Sequence, residues 1–570
     1  MNKTYFVPSL LLAVMISSSA FALGTDRAVG TPLTPPEKPL DNATCLSCHN
    51  VVKTLHQRGA HKDLNCGSCH SAKAEHIKAP TEQNRPSTRF DYASCSQCHT
   101  EQHKDLMDPK YHYQWAENYG NLSYAFLRDE VDGFPRVVQF KFPRFHPGIM
   151  ADFMANRANG RFKYHSKIDQ GIPQENHWTS LADKFDENGD LMRGDIIGLG
   201  WRPHKGREGQ QDSRCLLCKT TETMLYYAYD VEEDNPKGYD FKSKIVPMLK
   251  NTTTGFNCNT CHDPHSAEPR VIFAPLIESM AGKKNSWNFY QQNVGKFGLP
   301  KIEVVDMGVR GFTRKIGILS DYNANFMCGQ CHNAAHRYLT FKRVADDKPV
   351  TREDLDKAGV SAYSTEFFAD PIQGYEWTKQ KGWYQGVHTA TGAKVYSGTD
   401  HAHVEFLINS KHGKAGVDCV DCHFAKKENG TFEHQPSLVK LKVQNTCMRS
   451  ECHGPGSKDN WTRPGQALYT IEAIQQEHRI RTMKMEMAAK EAQTMLVDVK
   501  NNKIKIAEKE YKALMDAFEQ YLSVREYFMT DYSEGFHSPE AADRSLTKCI
   551  WDLRAANQAA KKVITPVVAK

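Results

Sequence analysis

The sequence predicts a mainly α fold with few strands and long C-terminal helices, and three observations carry that prediction. Sixteen of the 17 cysteines fall into eight tight pairs, apolar residues make up only 40% of the chain, and the tail repeats apolar positions at spacings of three and four. A chain of 570 residues would ordinarily bury three or four domains' worth of core, yet its compositional outliers are 17 Cys and 25 His. Its 73 basic and 67 acidic side chains leave a net charge of +6, too balanced to argue for nucleic acid. The mean hydropathy is −0.61, and beyond the N-terminus no segment approaches the roughly eighteen apolar residues of a spanning helix.

Residues 1–22 read as a secretory signal: Lys3 supplies the basic start, Val7 to Ile16 are mostly apolar, and Ala20-Phe21-Ala22 forms a small-residue cleavage site. Residues 23–40 are a linker with four prolines between Gly30 and Leu40. The mature chain is therefore expected in a bacterial periplasm. Disulfides form in that compartment, so the spacing of the cysteines has to decide their use.

Six pairs are Cys-x-x-Cys-His: Cys45-Cys48-His49, Cys66-Cys69-His70, Cys95-Cys98-His99, Cys258-Cys261-His262, Cys328-Cys331-His332 and Cys419-Cys422-His423. At this composition chance supplies roughly 0.02 such strings, so the pattern is functional. It is the attachment signature of c-type haem: two thiols add to the haem vinyls, and the next His ligates the iron. Zinc ribbons and redox dithiols leave that His unexplained. The eighth motif, Cys447 to Cys452 with His453, widens the gap to four residues and reads as a haem site with a looped-out linker. The fourth, Cys215-Leu216-Leu217-Cys218-Lys219, puts Lys where His stands elsewhere. A lysine ligates only after losing its proton, which burial beside a metal favours. An iron with an unusual axial ligand is the natural centre for substrate chemistry. Cys549 is left over and, with Leu546, Ile550 and Leu553 at helical spacing, is expected in a packed core.

Eight haems in this length must form much of the core. Seven of them, if bis-His, need distal ligands. The candidates are His56, His61, His76, His112, His265, His388, His412, His434 and His537, nine for seven places. The organisation is an N-terminal trihaem region (41–115), a pentahaem region (116–460) and a helical region (461–570). In the last, helices are expected over 466–499, 503–529 and 539–563, with Leu514, Met515, Phe518, Tyr521 and Leu522 as a stripe and Ser538-Pro539-Glu540 as a helix start. A stripe this long serves a core or a subunit interface, so a homo-oligomer is expected through these helices.

The order of sites resembles that of octahaem nitrite reductases, in which three N-terminal haems precede a five-haem block opening with Cys-x-x-Cys-Lys. The block also resembles the pentahaem ammonia-forming nitrite reductases, and the wider relatives include hydroxylamine oxidoreductases. The likeness runs from about residue 41 to 560. It is carried by Cys215–Lys219 with Thr220, by Cys258 to Ser266, by His412-Gly413 ahead of Cys419–His423, and by Gly535-Phe536-His537-Ser538-Pro539.

The resemblance implies a pocket on the open side of the Lys219 haem. There Arg157 (in Asn156-Arg157-Ala158-Asn159-Gly160-Arg161) would anchor the anion, and His401, after Asp400, would donate protons. It implies a reductase taking nitrite, hydroxylamine or both to ammonia, fed by a periplasmic or membrane-bound donor cytochrome. Three departures stand out. The expected pocket tyrosine is Ala335, the Gln before the catalytic His is Asp400, and the calcium-ligand Glu is Ala334, which puts calcium in doubt. Two alternatives stay open: reduction of another small oxyanion such as tetrathionate, and a non-catalytic electron conduit.

Overall fold

The computed structural model describes residues 41–70, 74–81, 97–106, 257–282, 285–307, 315–334, 336–361, 363–396, 402–434, 439–531 and 533–567, with single positions 84, 86, 95, 218, 221, 224 and 436. The expected signal and linker, His112, Arg157, Cys215, Lys219, Ala335, Asp400 and His401 lie outside them.

At the N-terminal end, Asp41 caps α1 (Asn42–Leu46) by accepting the Ala43 and Thr44 amides at 3.0 and 3.2 Å. The chain then runs through His49 into α2 (Asn50–Arg58). Asn42 ties the first motif to the second: its amide donates to Leu64 O and its carbonyl accepts from Cys66 N, both at 2.9 Å. Gly59 lets this segment dock closely, since a Cβ there would fall 2.1 Å from the Ser266 backbone. Ala60 N then donates to Ser266 O at 3.0 Å.

A small antiparallel sheet organises the middle, in the order β1 (Arg270–Val271), β3 (Lys315–Leu319), β2 (Ile302–Asp306). Between β1 and β2, α3 (Ala274–Ala281) begins with Pro275 in its first turn and buries Leu276, Ile277 and Met280 against Ile316, Ile318 and Leu319. Phe326 and Met327 of α4 (Ala324–Gly329) enter the same core, so the sixth motif starts from a packed helix. Among the short helices that follow are α5 (His403–Asn409) and α6 (Cys419–His423), the latter being the seventh motif itself.

The tail is three long helices: α7 (Pro464–Lys500), α8 (Glu508–Thr530) and α9 (Pro539–Lys562). The sequence placed the second from residue 503. It starts later because Ile504–Lys505 pairs antiparallel with Thr565–Pro566. Alanines 488, 489 and 492 on α7 and 556 and 560 on α9 are buried, which lets the helices approach closely around Leu496, Leu514, Phe518, Leu546 and Leu553. Ser538 caps α9 at the Ala541 amide, and Cys549 is fully buried, its thiol pushed up to about 12 by that burial. Among the described residues no helix is long and apolar enough to cross a membrane.

Candidate multihaem site

Each Cys-x-x-Cys-His motif closes one turn. The amides of His49, His70, His99, His262 and His332 donate to the carbonyl of the first cysteine at 3.2, 2.9, 2.9, 3.0 and 3.0 Å. Asn65, Asn257 and Asp418, each directly before a first cysteine, cap these turns. The eighth motif keeps the same closure despite its two extra residues. His453 N still donates to Cys447 O at 3.0 Å, and Cys452 N returns to Arg449 O at 3.0 Å, with Met448 packed on Val443, Ala467 and Ile471 and with Ser450 and Glu451 exposed. Thiols of neighbouring motifs meet: Cys45 with Cys66, Cys95 with Cys258, Cys328 with Cys419.

Opposite the motif histidines stand others. Ring centres are 6.3 Å apart for His49 and His76, 6.4 Å for His70 and His265, and 6.0 Å for His99 and His61. The same separation is 6.3 Å for His423 and His537 and 6.0 Å for His453 and His412. His434 is near enough to His262 to oppose its protonation. Metal–imidazole bonds of about 2.0–2.1 Å on both sides of one ion put ring centres about 6.4 Å apart, so these pairs are spaced to hold an iron between them. Of the nine distal candidates, five (His61, His76, His265, His412 and His537) stand in this way, and His434 lies near His262. His56 lies at the surface with Nε2 3.2 Å from Leu64 O, and His388 contacts Thr391 and the edge of Phe518, so the structure brings neither opposite a motif histidine.

The electrostatics suit ligation, which needs neutral imidazole. Burial is the chief cause lowering His49, His262, His412 and His434 below the ordinary histidine value, and it takes His70 to about 4. The Nδ1 atoms are engaged on the far side: His61 with Pro264 O at 2.9 Å, His262 with Ala267 O at 3.4 Å, His537 with Asp531 Oδ1 at 2.9 Å, and His453 with Asp459. A carbonyl or carboxylate only accepts, so Nδ1 carries the proton and Nε2 presents its lone pair. Burial works against the Asp531 charge. The neighbouring His537 and His403 and the bonds from His537 and Ser533 outweigh it and hold Asp531 well below the usual carboxylate range. Asp263 is likewise held down against its burial by His265 and Arg270, which fixes the loop carrying His265.

Consecutive motifs are tied by hydrogen bonds. Thr221, two residues after Lys219, contacts the Thr260 hydroxyl of the fifth motif at 2.6 Å. Gln330, inside the sixth motif and fully buried, accepts from Ile272 N at 2.7 Å and donates to Thr260 O at 2.9 Å. Asp418, ahead of the seventh, accepts from Ala324 N at 2.9 Å, and Asp421 within it pairs with Arg449 of the eighth at 2.8 Å. Residue type and spacing did not single out Gln330, Thr221 or Glu405. Glu405 is buried on α5, accepts from Ala334 N and Thr365 Oγ1 at 2.8 and 2.5 Å, and is pushed up to about 7 by burial. His403, not among the nine distal candidates, stands beside His332 of the sixth motif. Among the described residues no group of three or more His, Cys, Asp or Glu comes together that could hold a free metal ion.

Repeated cysteine-pair turns closed on histidines, five of them with a second imidazole facing the motif histidine at ligand spacing, define a multihaem c-type cytochrome. The chain belongs to the cytochrome c552 family, whose model matches residues 199–570, and membership brings covalently attached haem c. The chain is 25% identical over 363 residues to the cytochrome c nitrite reductase subunit NrfA of Nitratidesulfovibrio vulgaris, covering 59% of this chain and 57% of that one. It is 24% identical over 261 residues to cytochrome c-552 of Bacteroides thetaiotaomicron, covering 44% and 40%. It thus spans about half the length of the curated relatives it matches. A solved cytochrome c nitrite reductase from Desulfovibrio desulfuricans aligns with a TM-score of 0.42 at 16% identity, over 67% of this chain and 69% of that chain.

Proposed function

We propose that this chain is a periplasmic octahaem cytochrome c that reduces nitrite, hydroxylamine or both to ammonia at a haem ligated by Lys219. The observation that carries the reading is the set of bonds that ties the later motifs to one another: Thr221 with Thr260, Gln330 with Thr260, Ala324 with Asp418, and Arg449 with Asp421. Taking nitrogen from +3 in nitrite to −3 in ammonia needs six electrons at one centre, and a row of adjoining sites can supply them in sequence.

A haem held by Cys215, Cys218 and Lys219 would supply a redox iron for the reduction. Around it Arg157 holds the anion by charge-assisted hydrogen bonds. His401, beside Asp400, delivers protons as the anion is reduced. Lys219 donates its neutral amine to the metal. Thr221 anchors the end of the Lys219 motif, and α5, which follows His401 directly, is tied to the sixth motif by Val404 N donating to His332 O at 3.1 Å. The pairs Cys45–Cys48, Cys66–Cys69, Cys95–Cys98, Cys258–Cys261, Cys328–Cys331, Cys419–Cys422 and Cys447–Cys452 would hold seven further haems, which would supply electron transfer from a donor cytochrome. A homo-oligomer forms through the tail, where Tyr469, Met483, Met487 and Trp551 are exposed.

The test is steady-state oxidation of reduced viologen by purified holoprotein with nitrite, hydroxylamine and tetrathionate in parallel. Nitrite loss with stoichiometric ammonium, abolished in Arg157→Ala and His401→Ala at unchanged haem content, is the expected result. Turnover of hydroxylamine alone would assign Ala335 to the loss of nitrite activity. Full activity of the His401→Ala protein would remove His401 from the mechanism, and no turnover at all would make the protein a conduit.

A further inference from the structure

Five motif or facing histidines have their Nδ1 contacts resolved, and His332 differs from the other four. His61 and His262 face backbone carbonyls, while His453 and His537 face carboxylates. His332 Nδ1 lies 3.1 Å from Nδ1 of another histidine, His403, and the two rings lie 5.1 Å apart at 20°. That separation is too short for the rings to face each other across an iron.

The direction of this contact follows from the far end of the His403 ring. His403 Nε2 lies 3.1 Å from Thr530 O, and a carbonyl only accepts, so Nε2 carries a proton. In a neutral imidazole the other nitrogen is then an acceptor. His403 Nδ1 therefore accepts the proton of His332 Nδ1–H, and His332 Nε2 is left unprotonated. A doubly protonated His403 would force the bond to run the other way and would put the His332 proton on Nε2, where the iron must bind. Asp531, the nearby carboxylate, favours positive charge on His403, but both its oxygens are engaged by other donors and a ligating His332 leaves His403 Nδ1 to accept. Oδ1 accepts from His537 Nδ1 and Ser533 N at 2.9 and 3.2 Å, and Oδ2 from Ser533 Oγ and Gly535 N at 2.7 and 3.2 Å.

We propose that His403 is a positioning residue that fixes the tautomer and orientation of the haem ligand His332 by relaying its Nδ1 proton contact to the Thr530 carbonyl. The inference rests on His332 being an iron ligand. The chain provides the rest of the frame. Val404 N donates to His332 O at 3.1 Å and Ala334 N donates to Glu405 Oε1 at 2.8 Å, so α5 clamps the sixth motif on both sides of the ring contact. The Thr530 carbonyl is at the end of α8, which links the ligand's orientation to the tail bundle. An imidazole is a weaker acceptor than the carboxylates serving His453 and His537, so His332 keeps less anionic character and stabilises ferric iron less.

The test is an EPR-monitored redox titration of holoprotein carrying His403→Leu, His403→Gln or His403→Glu, with peptide mass mapping of haem at Cys328–Cys331. Leu removes the acceptor, so one low-spin haem shifts upward in potential and changes its g-values. Gln can accept from His332 and donate to Thr530 O, so it restores the parental signal. Glu is a stronger acceptor and shifts the same haem downward. Unmoved g-values and potentials in the Leu variant, or equal shifts in Leu and Gln, would overturn the role of His403. Absence of haem from the Cys328–Cys331 peptide in the unsubstituted protein would overturn the ligand assignment itself.

Discussion

Gln330 offers the sharpest test of how the motifs are held together. Its side chain is fully buried and makes four bonds: it accepts from Ile272 N at 2.7 Å and Phe273 N at 3.3 Å, and donates to Thr260 O at 2.9 Å and Met327 O at 3.0 Å. Gln330→Leu keeps the volume approximately but leaves the Ile272 amide and the Thr260 carbonyl without this partner. An orphaned buried polar group costs about 1–3 kcal/mol, so two together give about 2–5 kcal/mol, since Phe273 N is farther and Met327 O belongs to a helix end. Urea unfolding of the holoprotein, followed by the Soret band and by helical dichroism, should show that loss with haem content unchanged, because no cysteine or ligand is touched. A loss under about 1 kcal/mol would refute the reasoning that Gln330 ties the fifth motif to the sixth.

Three further outcomes are expected. Glu405 is ordinarily a carboxyl of 4.5 and is pushed up to about 7, so the folded state keeps a proton that the unfolded chain releases in that window. Stability should therefore fall by up to about 3 kcal/mol as pH rises from 4.5 to 7, and Glu405→Gln should flatten that slope in pH-dependent urea melts. Arg449→Ala leaves Asp421, one-quarter exposed, without its cation and should cost about 1–2 kcal/mol, with Asp421→Asn relieving most of the penalty in a double-mutant cycle. Leu553→Ala opens a hole in the fully buried tail core and should cost about 3 kcal/mol in the same melts.

The chemistry of attachment was legible because it is local. Two thiols and a histidine within one turn must be neighbours in sequence, so Cys45–His49 through Cys419–His423 could be read directly, and the wider Cys447–His453 could be read beside them. The tail was legible because 3.6-residue periodicity needs no tertiary information, and the start of α8 moved only where Ile504–Lys505 found a distant partner in Thr565–Pro566. What faces each motif histidine was not local. His265 reaches His70 from far along the chain, while His56 and His388, equally suitable by type, turn to a backbone carbonyl and to Thr391. Gln330 and His403 escaped for the same reason. A glutamine between two cysteines is unremarkable in sequence, and a histidine two residues past His401 acquires its role only when α5 packs on the sixth motif and Thr530 closes behind it.

The central claim is that one iron, held by Lys219, is open to substrate while the others are not. Ferric EPR of the purified holoprotein with and without nitrite tests it most directly, with Lys219→His alongside. The account expects one signal that changes on nitrite addition against a low-spin background that does not, and the loss of that response in the Lys219 variant. A wholly low-spin spectrum that nitrite leaves untouched would contradict it.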